Sequence, residues 1–192
     1  MIIVLISGKQ GSGKTTLARN LGIRLAQQKI PNYQLRFAQP LYEMHDKCRE
    51  VLKFYGYSNY DFTKKDGPLL QLLGTEWGRK TIEENIWVNM VKAKIEQLPA
   101  DGVVTIEDCR FENEFDAFLM LDNVITVRLE ATKETRKKRC EMWRPNDEHI
   151  SETALDKYAE DKQFDLQFYS ELMSEHEITQ ELLNKITTKR GN

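Results

Sequence analysis

The sequence predicts a three-layer α/β fold on a mainly parallel sheet, and three observations predict it. Residues 1–7, MIIVLIS, form an Ile- and Val-rich run of the kind that fills a central parallel strand. That run passes directly into Gly8-Lys9-Gln10-Gly11-Ser12-Gly13-Lys14-Thr15-Thr16, and then into LARNLGIRLAQQ, where Leu17, Leu21 and Leu25 recur at helical spacing. Further apolar runs, VVTI at 103–106 and VITVRL at 124–129, alternate with helical patterns.

The remaining elements follow in chain order. A second strand is read at 34–38, within YQLRFAQPL. Pro40 then suits the first turn of a helix from Leu41 to Phe54, with Leu41, Met44, Cys48, Val51 and Leu52 on an apolar stripe. The polar, glycine-bounded segment GYSNYDFTKKDG reads as a loop. Pro68 opens a short helix, Gly74 to Gly78 reads as a break, and a long helix is expected from Arg79 to Gln97 with Ile82, Ile86, Val88, Met90 and Ile95 inward. After the turn Pro99-Ala100-Asp101-Gly102, the strand at 103–106 ends in Glu107-Asp108-Cys109-Arg110. A helix from Phe111 to Met120, the strand at 124–129, a basic helix capped by Thr132, a last strand at 166–169 and a helix at 178–186 complete the reading.

Composition narrows the function classes. A chain of 192 residues suits a single domain, 1–192. Lys plus Arg is 28 against 30 Asp plus Glu, a net charge of -2, so no overall field draws a nucleic acid and none is expected as partner. The three cysteines make neither a zinc signature nor a disulfide scaffold, which favours a reducing, cytoplasmic setting. No apolar run approaches the roughly 20 residues that span a bilayer, and no membrane partner is expected. The first residues read as a strand and not as a signal peptide.

The segment 8–16 matches GxxxxGK[ST] in full, between a strand and a helix as that pattern requires. Gly8, Gly11 and Gly13 let backbone N–H groups face inward where side chains would collide with phosphate. Ser12 and Gly13 belong to this cradle, and Lys14 is expected to reach the β- and γ-phosphates. Thr15 is expected to offer its hydroxyl to Mg²⁺ and Thr16 to meet the α-phosphate. ATP and Mg²⁺ are the cofactors this implies. The fold class is therefore a three-layer P-loop kinase fold, with ligands at the carboxyl ends of the strands. The long interval 38–98 supplies helices for an acceptor, and 132–148 is the expected lid. Within that lid Arg136, Lys137, Lys138 and Arg139 form the densest basic run, and Arg144 follows. Arg136 and Arg139 can share a helix face toward the transferred phosphoryl, with Arg144 as a loop-borne third contact. His45, His149 and His176 have no metal-ligand spacing.

The pieces ISGKQGSGKTT, FAQPLYEM, LLQLLGTEWGRKTIEENIWV, IEDCRFENEFDAF and DEHISETALD resemble, in order and spacing, the bacteriophage-type deoxynucleoside monophosphate kinases. Human-type phosphomevalonate kinases look like distant relatives, sharing the P-loop, a small-residue–Pro–Leu element and a D-x-R element. The resemblance implies transfer of the γ-phosphoryl of ATP to a deoxynucleoside 5′-monophosphate, and a host-cytoplasmic setting for a viral protein. It favours Asp108 over the competing Glu107 as the carboxylate that holds Mg²⁺ through water, and it places Arg110 at the acceptor phosphate. Thr15 stands where the family usually has Asp. On the acceptor side, Phe37, Pro40 and Tyr42 resemble the start of the acceptor helix. Trp77 and Arg79 offer an aromatic face and a bidentate phosphate binder, and Glu114 stands to orient Arg110 or bind substrate. The partners are then small-molecule nucleotides, with homodimerisation left open. Two alternatives remain: a kinase for a non-nucleotide phosphate such as phosphomevalonate, and a noncatalytic nucleotide-dependent switch.

Overall fold

The computed structural model describes residues 1–140 and 149–191. In chain order the elements are β1 (Ile2–Gly8), α1 (Lys14–Gln27), β2 (Asn32–Leu35), α2 (Gln39–Phe54), α3 (Gly67–Gln71), a π-helical segment (Leu72–Ile82) and α4 (Ile86–Glu96). They continue as β3 (Val103–Cys109), α5 (Glu112–Leu119), β4 (Val124–Glu130), α6 (Lys133–Arg139), α7 (Ile150–Thr153), α8 (Asp156–Glu160), β5 (Leu166–Tyr169) and α9 (Glu175–Gly191). The strands form one sheet in the order β2-β3-β1-β4-β5, and every pairing is parallel. This is the expected three-layer α/β P-loop kinase fold.

Two compact units divide the chain. The first comprises Met1–Arg36 and Gln97–Asn192, the second Phe37–Glu96. In the first unit every residue of β1 is buried, as a central strand covered on both faces requires. Ile2, Val4 and Ile6 pack on one face with Leu17, Leu21 and Leu25 of α1 and with Ile178, Leu182 and Ile186 of α9. Phe115 and Phe118 of α5 are also fully buried, and the Phe115 ring meets that of Phe164 in a tilted arrangement at 4.7 Å between centroids.

The second unit is helical. Asp66 caps α3 by accepting from the Leu69 N–H at 2.9 Å and also accepts from the Tyr60 hydroxyl at 2.6 Å. Several expectations are corrected here. The second strand ends at Leu35, before Phe37 and Ala38. The presumed break between Gly74 and Gly78 is instead a continuous π-helical segment, and the chain interrupts at 83–85 rather than forming one helix from Arg79 to Gln97. The reason is tight packing at two glycines. A Cβ on Gly78 would lie 2.5 Å from the Trp87 ring, and the Trp87 indole N–H takes the Gly74 carbonyl at 3.0 Å. The backbone widens around that buried indole, with Glu83 N–H bonding back five residues to the Gly78 carbonyl. Ile82 and Met90 face solvent, and Trp87 and Val91 are buried beside Ile86 and Val88. On α2 the expected apolar stripe is not buried: Val51 and Cys48 are exposed, and His45 is the helix's buried residue.

Candidate functional site

The glycine loop folds as its residue types dictate. Gly8, Gly11 and Gly13 all have positive φ, at 147°, 79° and 103°. A Cβ at Gly8 would lie 2.4 Å from the Leu129 carbonyl oxygen, and one at Gly11 would lie 2.7 Å from that of Arg136. Open space surrounds Gly13, the N-cap of α1, and no side chain caps that helix. The first N–H groups of a 14-residue helix and their positive dipole end therefore face a concavity made for an anion. Ser12 is fully buried, and its hydroxyl oxygen has no hydrogen-bond partner among the described residues.

Lys14 lies in the middle of the cradle. Its Nζ donates to the Gly8 carbonyl at 2.5 Å and to the Lys9 carbonyl at 2.9 Å. Burial pushes its pKa down from 10.5 to about 7, Arg110 and Arg128 add to the depression, and Glu152 and Glu107 oppose it. An arriving polyphosphate supplies negative charge, restores the ammonium and draws in a proton. Triphosphate binding should take up close to one proton at pH about 8.5 and far less at about 6, so apparent affinity weakens with rising pH above about 7. Calorimetry in buffers of different ionisation heat measures this uptake directly.

At the strand ends, a bulge arms β3. Leu5 aligns with Ile106 and Ser7 with Cys109, so Glu107 and Asp108 together oppose Ile6. Glu107 is buried; one oxygen accepts from Arg36, and Oε2 has no hydrogen-bond partner among the described residues. Asp108 is half-buried beside it. Thr15 is exposed on the first turn of α1. These oxygens are hard donors that suit Mg²⁺. Among the described residues no group of three or more His, Cys, Asp or Glu could hold a metal unaided. Such a donor set fits an ion that arrives with the phosphates of its nucleotide.

Arg110 follows the bulge. Its backbone N–H and that of Phe111 donate to Glu114 Oε2 at 2.8 and 3.1 Å, so the buried Glu114 sets the main chain that carries the guanidinium. Arg110 Nη1 donates to Glu152 Oε1 at 2.6 Å. Glu152 Oε2 accepts from the Gln10 backbone N–H of the loop, also at 2.6 Å. Beneath the loop, the buried Arg128 donates to Glu130 at 2.5 Å, Asp156 at 2.6 Å and Ser7 at 3.1 Å. Asp156 in turn pairs with Lys9 at 2.7 Å. Arg128, Glu152 and Asp156 were not among the candidates from sequence. An arginine inside the apolar run VITVRLE is the signal that could have found the first.

Of the expected lid arginines, Arg136 is buried and donates to the Gln10 carbonyl at 3.2 Å. Arg139 instead holds the Ser170 hydroxyl and carbonyl, each at 2.8 Å. The two therefore part company. Arg139 lines a small cleft of about 80 Å³ with Ser12, Gly13, Thr16, Met173 and Ile178. Arg144, with residues 141–148 of the expected lid, lies outside the described residues. The acceptor candidates are divided between the units. Arg110 and Glu114 belong to the first and Phe37, Pro40, Tyr42, Trp77 and Arg79 to the second. Phe37 is buried, and Pro40 lies in the first turn of α2. The Tyr42 hydroxyl accepts from Lys65 at 2.6 Å, Trp77 is exposed and Arg79 half-buried on the π-helical segment.

Residues 4–164 match the family model described as the AAA domain. The chain belongs to this family. No protein of curated function matches it. Among solved structures, this AAA-domain chain is similar to the shikimate kinase of Aquifex aeolicus at 20% identity and TM-score 0.52, covering 98% of each chain. It is similar to the shikimate kinase of Bacteroides thetaiotaomicron at 20% identity and TM-score 0.55, over 97% of this chain and 98% of that one. It also resembles the shikimate kinase of Acinetobacter baumannii in complex with shikimate, at 15% identity and TM-score 0.54 over 98% and 94%. Likeness at this identity carries the fold. The expected kinship with bacteriophage-type deoxynucleoside monophosphate kinases is corrected, because the enzymes beside the chain are shikimate kinases. The bacteriophage assignment and the phosphomevalonate kinase kinship fall with it. No helix among the described residues is long and apolar enough to cross a membrane.

Proposed function

We propose that this chain transfers the γ-phosphoryl group of ATP to a small, anionic, non-nucleotide acceptor. The observation that carries the reading is the gathering of Lys14, Arg110 and Arg128 about a glycine cradle with an uncapped helix N-terminus. Phosphoryl transfer needs alignment and charge neutralisation more than covalent chemistry, and this arrangement supplies both. Lys14 and the loop N–H groups hold the donor phosphates. Thr15 with Asp108, or with Glu107 beside it, would hold Mg²⁺, which would supply charge neutralisation at the phosphates. Arg110 steers the transferred group or the acceptor anion. Arg139 and its cleft take the base side of ATP. Residues 38–98 hold the acceptor. Full-length likeness to shikimate kinases, one of them with shikimate bound, supports a hydroxylated carboxylate within that acceptor class.

The test is an acceptor panel with ATP and Mg²⁺, read by ADP release and product mass. Hydroxylated carboxylates, phosphate monoesters and nucleoside monophosphates form its three arms. ADP release should depend on a member of the first two arms. Release confined to the nucleotide arm, or equally fast without acceptor, would reject the proposal.

A further inference from the structure

Arg128 is matched by Glu130 and Asp156, and Arg110 is matched by Glu152. Close like charges are costly unless anions lie among them, and Glu152 is the anion that serves Arg110. Its side chain is only 9% exposed, and each carboxylate oxygen accepts a 2.6 Å hydrogen bond, one from the Gln10 N–H and one from Arg110 Nη1. Gln10 lies 142 residues away in sequence, within the loop whose N–H groups are the natural phosphate donors. We propose that the Glu152 carboxylate is a placeholder for the terminal phosphate of the bound triphosphate, and that Gln10 N–H with Arg110 forms the subsite it vacates.

This deepens the donor half of the proposed function and rests on it. A carboxylate and a terminal phosphate present the same feature to these donors: two anionic oxygens on one centre. They cannot both occupy the position. Displacement frees Arg110 to meet the phosphoryl group and keeps the cation count matched by anions throughout. Glu152 thereby sets how strongly the site distinguishes a triphosphate from a diphosphate, because only the triphosphate must evict it.

Calorimetric titration with ATP–Mg²⁺ and with ADP–Mg²⁺, without acceptor, tests this in the unmodified protein and in Glu152→Gln. Gln keeps the shape, removes the charge and turns one acceptor into a donor facing a donor. The variant should bind ATP about tenfold tighter or more, the scale of a charge-assisted hydrogen bond, and ADP with little change. Arg110→Gln should weaken ATP selectively. A purely structural tie predicts a lower melting temperature for Glu152→Gln with an unaltered ATP-to-ADP affinity ratio, and that result would overturn the inference while leaving the kinase reading intact. Failure of the unmodified protein to bind either nucleotide would overturn the donor reading itself, and this inference with it.

Discussion

Replacing Lys14 by Met is expected to lower turnover by roughly a hundredfold to a thousandfold while leaving the protein folded. The loss follows from removing a preorganised cation where charge develops on the transferred phosphoryl group, an effect of that order for a single donor in a water-poor site. The retention of fold follows from the same burial. Lys14 is an expensive residue in the empty protein, its ammonium desolvated and set among Arg110 and Arg128. Met preserves the unbranched apolar stem and removes the charge. It gives up two hydrogen bonds to the Gly8 and Lys9 carbonyls, which offsets part of the relief. The melting temperature should therefore stay within a few degrees of the unmodified value, on the usual scale of about 2–4 °C per kcal/mol for a chain of this size. A residue important only to structure would show the opposite pattern. Steady-state kinetics beside a thermal melt separates the two.

Arg128→Met should do the reverse and destabilise the protein by about 2–4 kcal/mol. The Arg128 guanidinium is buried and serves Glu130, Asp156 and Ser7 at once. Removing it leaves a buried Ser7 hydroxyl and two carboxylates facing each other without their common cation. Their side chains keep 23% and 32% exposure, so water recovers part of the loss and the estimate lies below that for a fully buried pair. Lys at this position should rescue poorly, because one ammonium cannot reproduce a planar fork aimed at three acceptors. Denaturant unfolding of both variants measures this. The damage should extend to the loop, since Asp156 also anchors Lys9.

These two residues show how much the sequence discloses. Lys14 was legible because its chemistry is local: glycines at fixed spacing dictate backbone φ, and the loop joins a buried strand to an amphipathic helix. The mainly parallel sheet followed from the alternation of strands and helices. Arg128 looked like the end of an apolar strand, because two of its three acceptors, Ser7 and Asp156, come from β1 and α8. The β3 bulge was invisible for a related reason. Register is a property of two strands, and nothing in VVTIEDCR says that two residues will oppose one. Glu152 reaches Gln10 across 142 residues, a contact that no local pattern encodes. The π-helical segment misled in a different way. Gly74 and Gly78 read as breakers, yet they are small because Leu41 and Trp87 press against them. The family was read from resemblance, and the likeness to shikimate kinases corrected that reading.

Delivery of a phosphoryl group from ATP to a small acceptor is the reaction proposed for the cradle. The direct measurement follows γ-radiolabelled ATP incubated with the protein, Mg²⁺ and a fractionated pool of small metabolites, with labelled products separated and identified by mass. Label is expected in a non-nucleotide anionic product, formed only with the acceptor fraction present and lost in Lys14→Met. Label appearing solely as inorganic phosphate, or solely in a nucleoside diphosphate made from a monophosphate, would contradict it.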